Sequence, residues 1–94
     1  MPPRRERFAA HVQGRVQGVG FRAFVCDTAR ELEIAGSVRN GREGGVWVEA
    51  EGPRGRLELL LSALRSGPPA ARVDRVTVDW LEPRGDTHFT LLPM

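Results

Sequence analysis

A glycine-rich segment that ends in an arginine, Gly14–Arg22, contains the residues best suited to chemistry. Its three glycines permit positive φ angles, and the apolar periodicity that follows predicts a helix directly after them. A glycine-rich turn that leads into a helix N-terminus points several backbone N–H groups at one spot. These donors and the positive end of the helix dipole favour an anion such as phosphate. The segment therefore predicts an anion-binding loop.

Arg22 lies in the first turn of that predicted helix, where a positive charge at an exposed site costs roughly 0.3–1 kcal/mol. The placement becomes favourable if an anion lies between the guanidinium and the loop amides. A guanidinium can also bind two phosphate oxygens in a bidentate fork, which an ammonium cannot. The residues alone leave another interpretation open, in which the glycines form only a tight turn and Arg22 points into water.

Two nucleotide-binding motifs can be compared with the same segment. Gly18–Ala23 matches the dinucleotide fingerprint G-x-G-x-x-A, which requires a parallel βαβ unit and an acidic residue at the end of its second strand. Here the second predicted strand ends in Asn40 and turns directly into a hairpin, so this interpretation is disfavoured. The P-loop is excluded because its lysine is missing.

The elements that must position this loop follow from the hydrophobic pattern. Alternating residues predict strands, and apolar residues spaced three and four apart predict helices. The pattern first predicts a strand at Arg7–Gln13 and then a helix with apolar residues from Phe21 to Leu32, with Gly36 just beyond that helix. It next predicts two strands, Ser37–Asn40 and Val46–Ala50, joined by a hairpin at Gly41–Gly45. The last predicted elements are a helix with leucines at 57, 60, 61 and 64, a strand at Val73–Trp80 and a short strand at Phe89–Leu92. This β-α-β-β-α-β order predicts an α+β, ferredoxin-like split βαβ fold, with two helices on one face of an antiparallel sheet.

Composition narrows the classes of protein. The length of 94 residues predicts one domain over 1–94, with 1–6 as a flexible N-terminal segment. No apolar run approaches the roughly 18–20 residues of a membrane span, and Cys26 has no second cysteine for a disulfide, so we expect a cytoplasmic protein. The net charge is only +2, the basic residues are all arginine, and acidic residues are spread throughout, so we expect no nucleic-acid partner.

Two motifs resemble the signatures of the acylphosphatase family. The first is Gly14–Arg22, and the second is Gly36–Gly44, followed by Val46–Gly52. The resemblance implies that a phosphoryl group is held by the guanidinium of Arg22 and by the backbone amides of Arg15, Val16, Gln17, Gly18, Val19 and Gly20. It implies that Asn40 positions the attacking water, although a hairpin-turn role would also suit an asparagine there. It further implies a small acyl phosphate substrate, with inorganic phosphate as product and inhibitor. Because the sequence contains no metal-ligand constellation, we expect no metal and no cofactor, and we also expect a monomer.

The chemistry of an arginine and an asparagine side chain suits the hydrolysis of an acyl phosphate. Arginine and asparagine are poor general acids and bases at neutral pH. The leaving group of a phosphate monoester is an alkoxide, which usually needs an acid or a metal to help it depart. The leaving group of an acyl phosphate is a carboxylate, whose conjugate acid has a pKa of about 4. What remains is to position water and to stabilise charge on the phosphoryl oxygens. His11 lies in a predicted strand and His88 directly before another, without a metal-ligand cluster, and Cys26 is expected off the apolar stripe of its helix.

Three residues depart from the usual family pattern. Glu43 stands where aspartate is common, Ser37 where an aromatic residue is frequent, and Glu33 where a glycine normally follows the helix. None of them belongs to the predicted phosphate site, so we expect effects on stability more than on chemistry.

Two other functions fit the same order of elements. An RNA-binding module would need aromatic residues for base stacking, but the corresponding strand offers one tryptophan among acidic residues. A non-catalytic phosphate-binding or regulatory domain is the other alternative. Acylphosphatase-like domains also occur within larger hydrogenase-maturation carbamoyltransferases, although the short length favours a separate enzyme.

Overall fold

A computed structural model of the protein describes residues 4–93. Its elements are β1 (Arg5–Arg15), α1 (Phe21–Glu31), β2 (Ala35–Asn40), β3 (Val46–Pro53), α2 (Arg54–Ser66), β4 (Arg72–Leu81) and β5 (Phe89–Leu91). The five strands form one sheet in the order β4-β1-β3-β2-β5, antiparallel except for the parallel pair of β2 and β5. The predicted ferredoxin-like α+β fold is thus confirmed, with β5 added at the edge.

The hydrophobic core lies between the sheet and the two helices, which also contact each other. Alternate residues of β1 and β3 point into this core, and the leucine stripe of α2 packs in the same core. The fully buried members from the two strands are Phe8, Ala10, Val12, Val46, Val48 and Ala50. The strands therefore present their other alternate residues to the helix-free face of the sheet.

Helix α1 buries a wider arc than the sequence predicts. Cys26, expected off the apolar stripe, is buried beside Val25 and is a free thiol. The prediction was wrong because α1 packs against both the sheet and α2, so two neighbouring residues about 100° apart on the helix can both face the core.

The segment after α1 also differs from the prediction. Gly36, expected just beyond the helix, lies within β2, and Glu33 takes the left-handed conformation instead, with φ of 56°. Gly36 has φ of 137°, and a Cβ there would overlap the carbonyl oxygen of Glu49 on β3. The glycine is required by this close approach of the neighbouring strand rather than by the end of a helix.

The end of the predicted N-terminal segment belongs to the first strand. Arg5 and Glu6, predicted to lie in a flexible segment, instead begin β1 and pair with Pro53 and Gly52 of β3. A guanidinium nitrogen of Arg54 also lies 3.0 Å from a carboxylate oxygen of Glu6. Residues 1–3, the rest of that predicted segment apart from Arg4, lie outside the described residues.

The helix-free face carries a buried ion cluster. Arg7 and Glu51 pair across β1 and β3, and their side chains are only 1% and 0% exposed. Arg7 also contacts Glu49 at 2.7 Å and Asp86 at 3.0 Å, the latter from the connection between β4 and β5. Ion pairs between charged side chains therefore hold this connection against the sheet.

The ionisation of Glu51 follows from its partners. Burial alone would raise the pKa of this carboxyl group. Hydrogen bonds from the backbone N–H groups of Arg84 and Gly85, and from the side chains of Arg7 and Arg5, outweigh burial and lower the pKa from 4.5 to about 2. Glu51 is therefore an anion at neutral pH.

Candidate active site

The glycine-rich loop connects the end of β1 to the start of α1. Gly18 and Gly20 both have left-handed φ angles, of 73° and 76°, and Gly20 is the residue from which α1 begins. Nothing lies within 4 Å of a Cβ built at either glycine, so the outer side of the loop is open. Val16, by contrast, is buried and anchors the loop in the core.

The amides of this loop are available for a ligand. Between 17 and 20, no backbone N–H donates a hydrogen bond to another group within residues 4–93. Helix α1 begins without a side-chain cap and without an acidic residue in its first turn. The loop therefore combines free donors with the uncompensated positive end of a helix, as an anion site requires.

Arg22 is held by the C-terminal end of the described chain. Its Nη1 donates to the carbonyl oxygen of Leu92 at 2.8 Å, and the side chain is partly buried. The N–H of Leu92 in turn donates to the carbonyl oxygen of Val38 at 2.8 Å. Arg22 is thus connected through Leu92 to β2, two residues before Asn40.

Asn40 is the last residue of β2 and pairs with Val46 of β3. Val38 points into the core beneath the helices, and residues two apart in a strand share a face. Asn40 therefore lies on the helix-covered face of the sheet, partly buried, at the end of the strand. This is the face on which α1 packs, with Arg22 in its first turn.

A side chain of the loop reaches the hairpin that follows Asn40. The Nε2 of Gln17 donates to the carbonyl oxygens of Gly41 at 2.9 Å and Gly45 at 2.8 Å. Hydrogen bonds therefore connect the loop to the residue after Asn40, and Arg22 to the strand that ends in Asn40. The family motif implies a role only for the backbone amide of Gln17, so this side-chain contact was not predicted, although a long polar side chain inside a glycine-rich loop is a signal for one.

The histidine and tryptophan side chains considered as ligands or stacking residues include three that contact neighbouring side chains. His11 stacks on Trp47 with ring centroids 4.3 Å apart, on the helix-free face. Trp80 packs edge-on against Phe8, and the guanidinium of Arg54 lies 3.8 Å from its ring centroid. Within the described part of the chain, no group of three or more His, Cys, Asp or Glu side chains could hold a metal ion.

The model of the acylphosphatase family matches residues 8–91, which include the loop, Arg22 and Asn40. The chain belongs to the acylphosphatase family. Among curated relatives, the acylphosphatase of Salinibacter ruber is 52% identical over 75 residues, covering 80% of this chain and 79% of the relative. The acylphosphatase of Thermus thermophilus is 51% identical over 83 residues, covering 88% and 94% of the two chains.

Solved structures of acylphosphatases and of a larger protein share the fold of this chain. The crystal structure of acylphosphatase from Bacillus subtilis superposes with a TM-score of 0.90 at 35% identity, covering 93% of this chain and 98% of that chain. Full-length HypF, in a phosphate- and nucleotide-bound form, aligns with a TM-score of 0.91 at 28% identity over 98% of this chain but only 12% of HypF. The fold thus also forms a small part of a much longer protein.

Membership in this family indicates the reaction. The protein is an enzyme, an acylphosphatase that hydrolyses the carboxyl–phosphate bond of acyl phosphates to a carboxylate and inorganic phosphate. None of the helices in residues 4–93 is long and apolar enough to cross a membrane.

Proposed function

We propose that the phosphoryl group of the substrate binds the backbone amides of Arg15–Gly20 and the guanidinium of Arg22, and that Asn40 positions the attacking water. The observation that carries this proposal is the open loop at the start of α1, whose amides have no partners between 17 and 20 within the described residues. Hydrogen bonds connect this loop and Arg22 to the strand and hairpin on either side of Asn40.

Arg22 combines a fixed position with spare donors. Its bond to the carbonyl of Leu92 uses Nη1, and within residues 4–93 neither Nε nor Nη2 has a hydrogen-bond partner. A guanidinium anchored at one nitrogen loses less rotational freedom when it binds the substrate. The remaining N–H groups then serve the phosphoryl oxygens, on which negative charge is spread in the transition state.

The reaction needs no acid on the leaving group. The oxygen of water attacks phosphorus in line, the bond from phosphorus to the acyl oxygen breaks, and the carboxylate leaves with the electron pair. The proton of the water passes to a phosphate oxygen of the product or to solvent. The side-chain amide oxygen of Asn40 can accept a hydrogen bond from the water, which fixes the angle of attack.

The same chemistry makes a metal unnecessary, so we propose turnover without one. The loop amides and Arg22 supply the positive charge that a metal ion would otherwise bring to the phosphoryl oxygens. We also propose that the enzyme acts as a monomer in the cytoplasm, on a small acyl phosphate, and is inhibited by inorganic phosphate at the same loop.

Substitutions separate the two side-chain roles. Arg22 contacts an anion in substrate, transition state and product, so Arg22→Ala is expected to weaken phosphate inhibition and to abolish most turnover. Arg22→Lys should rescue little, because a point charge cannot reproduce the fork. Asn40→Ala should lower kcat by roughly 10²-fold or more, comparable to the loss of one transition-state hydrogen bond, with phosphate inhibition within a few-fold of normal.

The experiment measures benzoyl phosphate hydrolysis and inhibition by inorganic phosphate in purified variants, with circular dichroism to verify folding. Arg56→Ala is the matched control, since Arg56 is an exposed arginine of α2 whose nearest partners, Leu32 and Glu33, lie beyond the far end of α1. Near-normal kcat in Asn40→Ala would refute the role assigned to that residue. Normal phosphate affinity in Arg22→Ala would refute the assignment of the phosphate site.

A further inference from the structure

The side chain of Gln17 makes a specific contact between two segments of the proposed active site. Its Nε2 lies 2.9 Å from the carbonyl oxygen of Gly41 and 2.8 Å from that of Gly45. A side-chain amide nitrogen carries two hydrogen atoms, and here each finds one acceptor. Because two carbonyl oxygens face the same atom, the orientation of the amide is fixed by its surroundings.

The hairpin is shaped to offer these two acceptors together. The N–H of Gly41 donates to the carbonyl of Gly45 at 3.0 Å, which closes the turn. Gly45 has a left-handed φ of 74°, and a Cβ at Gly41 would overlap the carbonyl oxygen of Gly44. Both positions therefore need glycine for the two carbonyls to converge on one donor.

We infer that Gln17 is a positioning residue for the reaction, and this inference rests on the proposed role of Asn40. Gly41 follows Asn40 directly in the chain, and Gln17 lies inside the loop whose amides are proposed to hold the phosphoryl group. One side chain therefore sets the separation between the group that binds phosphate and the group that holds water. A displacement of about 1 Å between such groups can cost roughly 10²-fold in rate.

The other connection in this region does not replace that of Gln17. Arg22 is connected to β2 through Leu92 and Val38, which fixes the guanidinium relative to the strand. It does not fix the loop amides between 17 and 20, which make no hydrogen bonds of their own within residues 4–93. Gln17 supplies the hydrogen bonds that hold this part of the loop to the hairpin.

Two substitutions test the inference. Gln17→Met keeps the length of the side chain and removes the donors, and Gln17→Glu keeps its shape but presents only acceptors to the two carbonyls at neutral pH. Each is expected to lower kcat for benzoyl phosphate by about 10-fold or more, with a smaller change in KM and with an unchanged circular dichroism spectrum at a temperature well below Tm. The matched control is Gln13→Met, at an exposed glutamine of β1, which should leave kcat unchanged.

A double-mutant cycle with Asn40→Ala separates positioning from general support of the fold. If Gln17 acts by placing the loop relative to Asn40, each Gln17 substitution should change kcat by no more than about 2-fold in the Asn40→Ala background, because coupled residues are not additive. A full loss of about 10-fold in that background, or normal kcat in the Gln17 single variants, would overturn the inference. Normal kcat in Asn40→Ala alone would instead refute the proposed role of Asn40, and the inference with it.

Discussion

Glu33 offers a way to stabilise the enzyme without touching its chemistry. Within residues 4–93 it is the only non-glycine residue with a positive φ, at 56°. It follows the end of α1, where its N–H donates to the carbonyl of Arg30 at 3.1 Å and the next N–H, of Ile34, donates to that of Ala29 at 2.9 Å. These bonds complete the helix terminus and require the left-handed conformation at Glu33. Replacing Glu33 with glycine should therefore remove strain and keep the bonds.

The expected gain in stability combines three contributions. A non-glycine residue in the left-handed region costs about 1–2 kcal/mol. Glycine gives up about 0.4–1 kcal/mol more conformational entropy on folding. The Glu33 carboxylate is 80% exposed and 4.0 Å from Arg56, so the ion pair that the substitution removes is worth little. The net gain is about 0.5–1 kcal/mol, which in a domain of this size raises Tm by about 2–8 °C.

Thermal unfolding of wild type, Glu33→Gly and Glu33→Asn measures this gain, with benzoyl phosphate turnover assayed in parallel. Asparagine tolerates the left-handed region better than glutamate, so Glu33→Asn should fall between the other two. Turnover should be nearly unchanged, because Glu33 lies at the opposite end of α1 from Arg22. An unchanged or lower Tm for Glu33→Gly would show that the left-handed conformation of Glu33 carries no such strain.

Two further predictions concern the ion cluster and the phosphate loop. Because folding lowers the pKa of Glu51 from 4.5 to about 2, its contribution to stability should be complete above about pH 4.5 and lost as pH falls towards 2. The free energy of unfolding, measured in urea, should therefore fall less steeply with acid in Glu51→Gln than in wild type. Parallel pH dependence of the two proteins would contradict this. Inorganic phosphate at about 100 times its dissociation constant should stabilise the native state by about 2.7 kcal/mol, and Arg22→Ala should lose most of that effect. Equal stabilisation by chloride at the same ionic strength would count against a specific phosphate site.

The order of the elements and the location of the loop could be predicted because their signals are local. Alternation in β1 and β3, leucine spacing in α2 and the glycines before α1 each act over a few residues. Strand lengths were less accurate, since β1 extends to Arg5–Arg15 rather than Arg7–Gln13. This strand is paired on both sides, by β3 and by β4, and its partners determine where it begins and ends.

The features that the sequence did not reveal depend on contacts between distant segments. Arg7 and Glu51 become neighbours only through the register of β1 with β3, and they are buried only because the connection after β4 crosses them. The hydrogen bond from Gln17 to Gly41 depends in the same way on the hairpin reaching the loop. The need for glycine at Gly36 comes from the carbonyl of the neighbouring strand. No local pattern encodes these distances.

The most direct test of the proposed mechanism compares two phosphate compounds that differ in their leaving groups. Benzoyl phosphate releases a carboxylate, whereas phenyl phosphate releases a phenolate, whose conjugate acid has a pKa near that of tyrosine, about 10. Both are assayed with purified wild-type enzyme in excess chelator, and with Arg22→Ala as a control for contaminating phosphatases. We expect rapid hydrolysis of benzoyl phosphate that Arg22→Ala abolishes, and little or no hydrolysis of phenyl phosphate. Comparable turnover of both compounds, or loss of benzoyl phosphate turnover that added Mg²⁺ or Zn²⁺ restores, would contradict the mechanism.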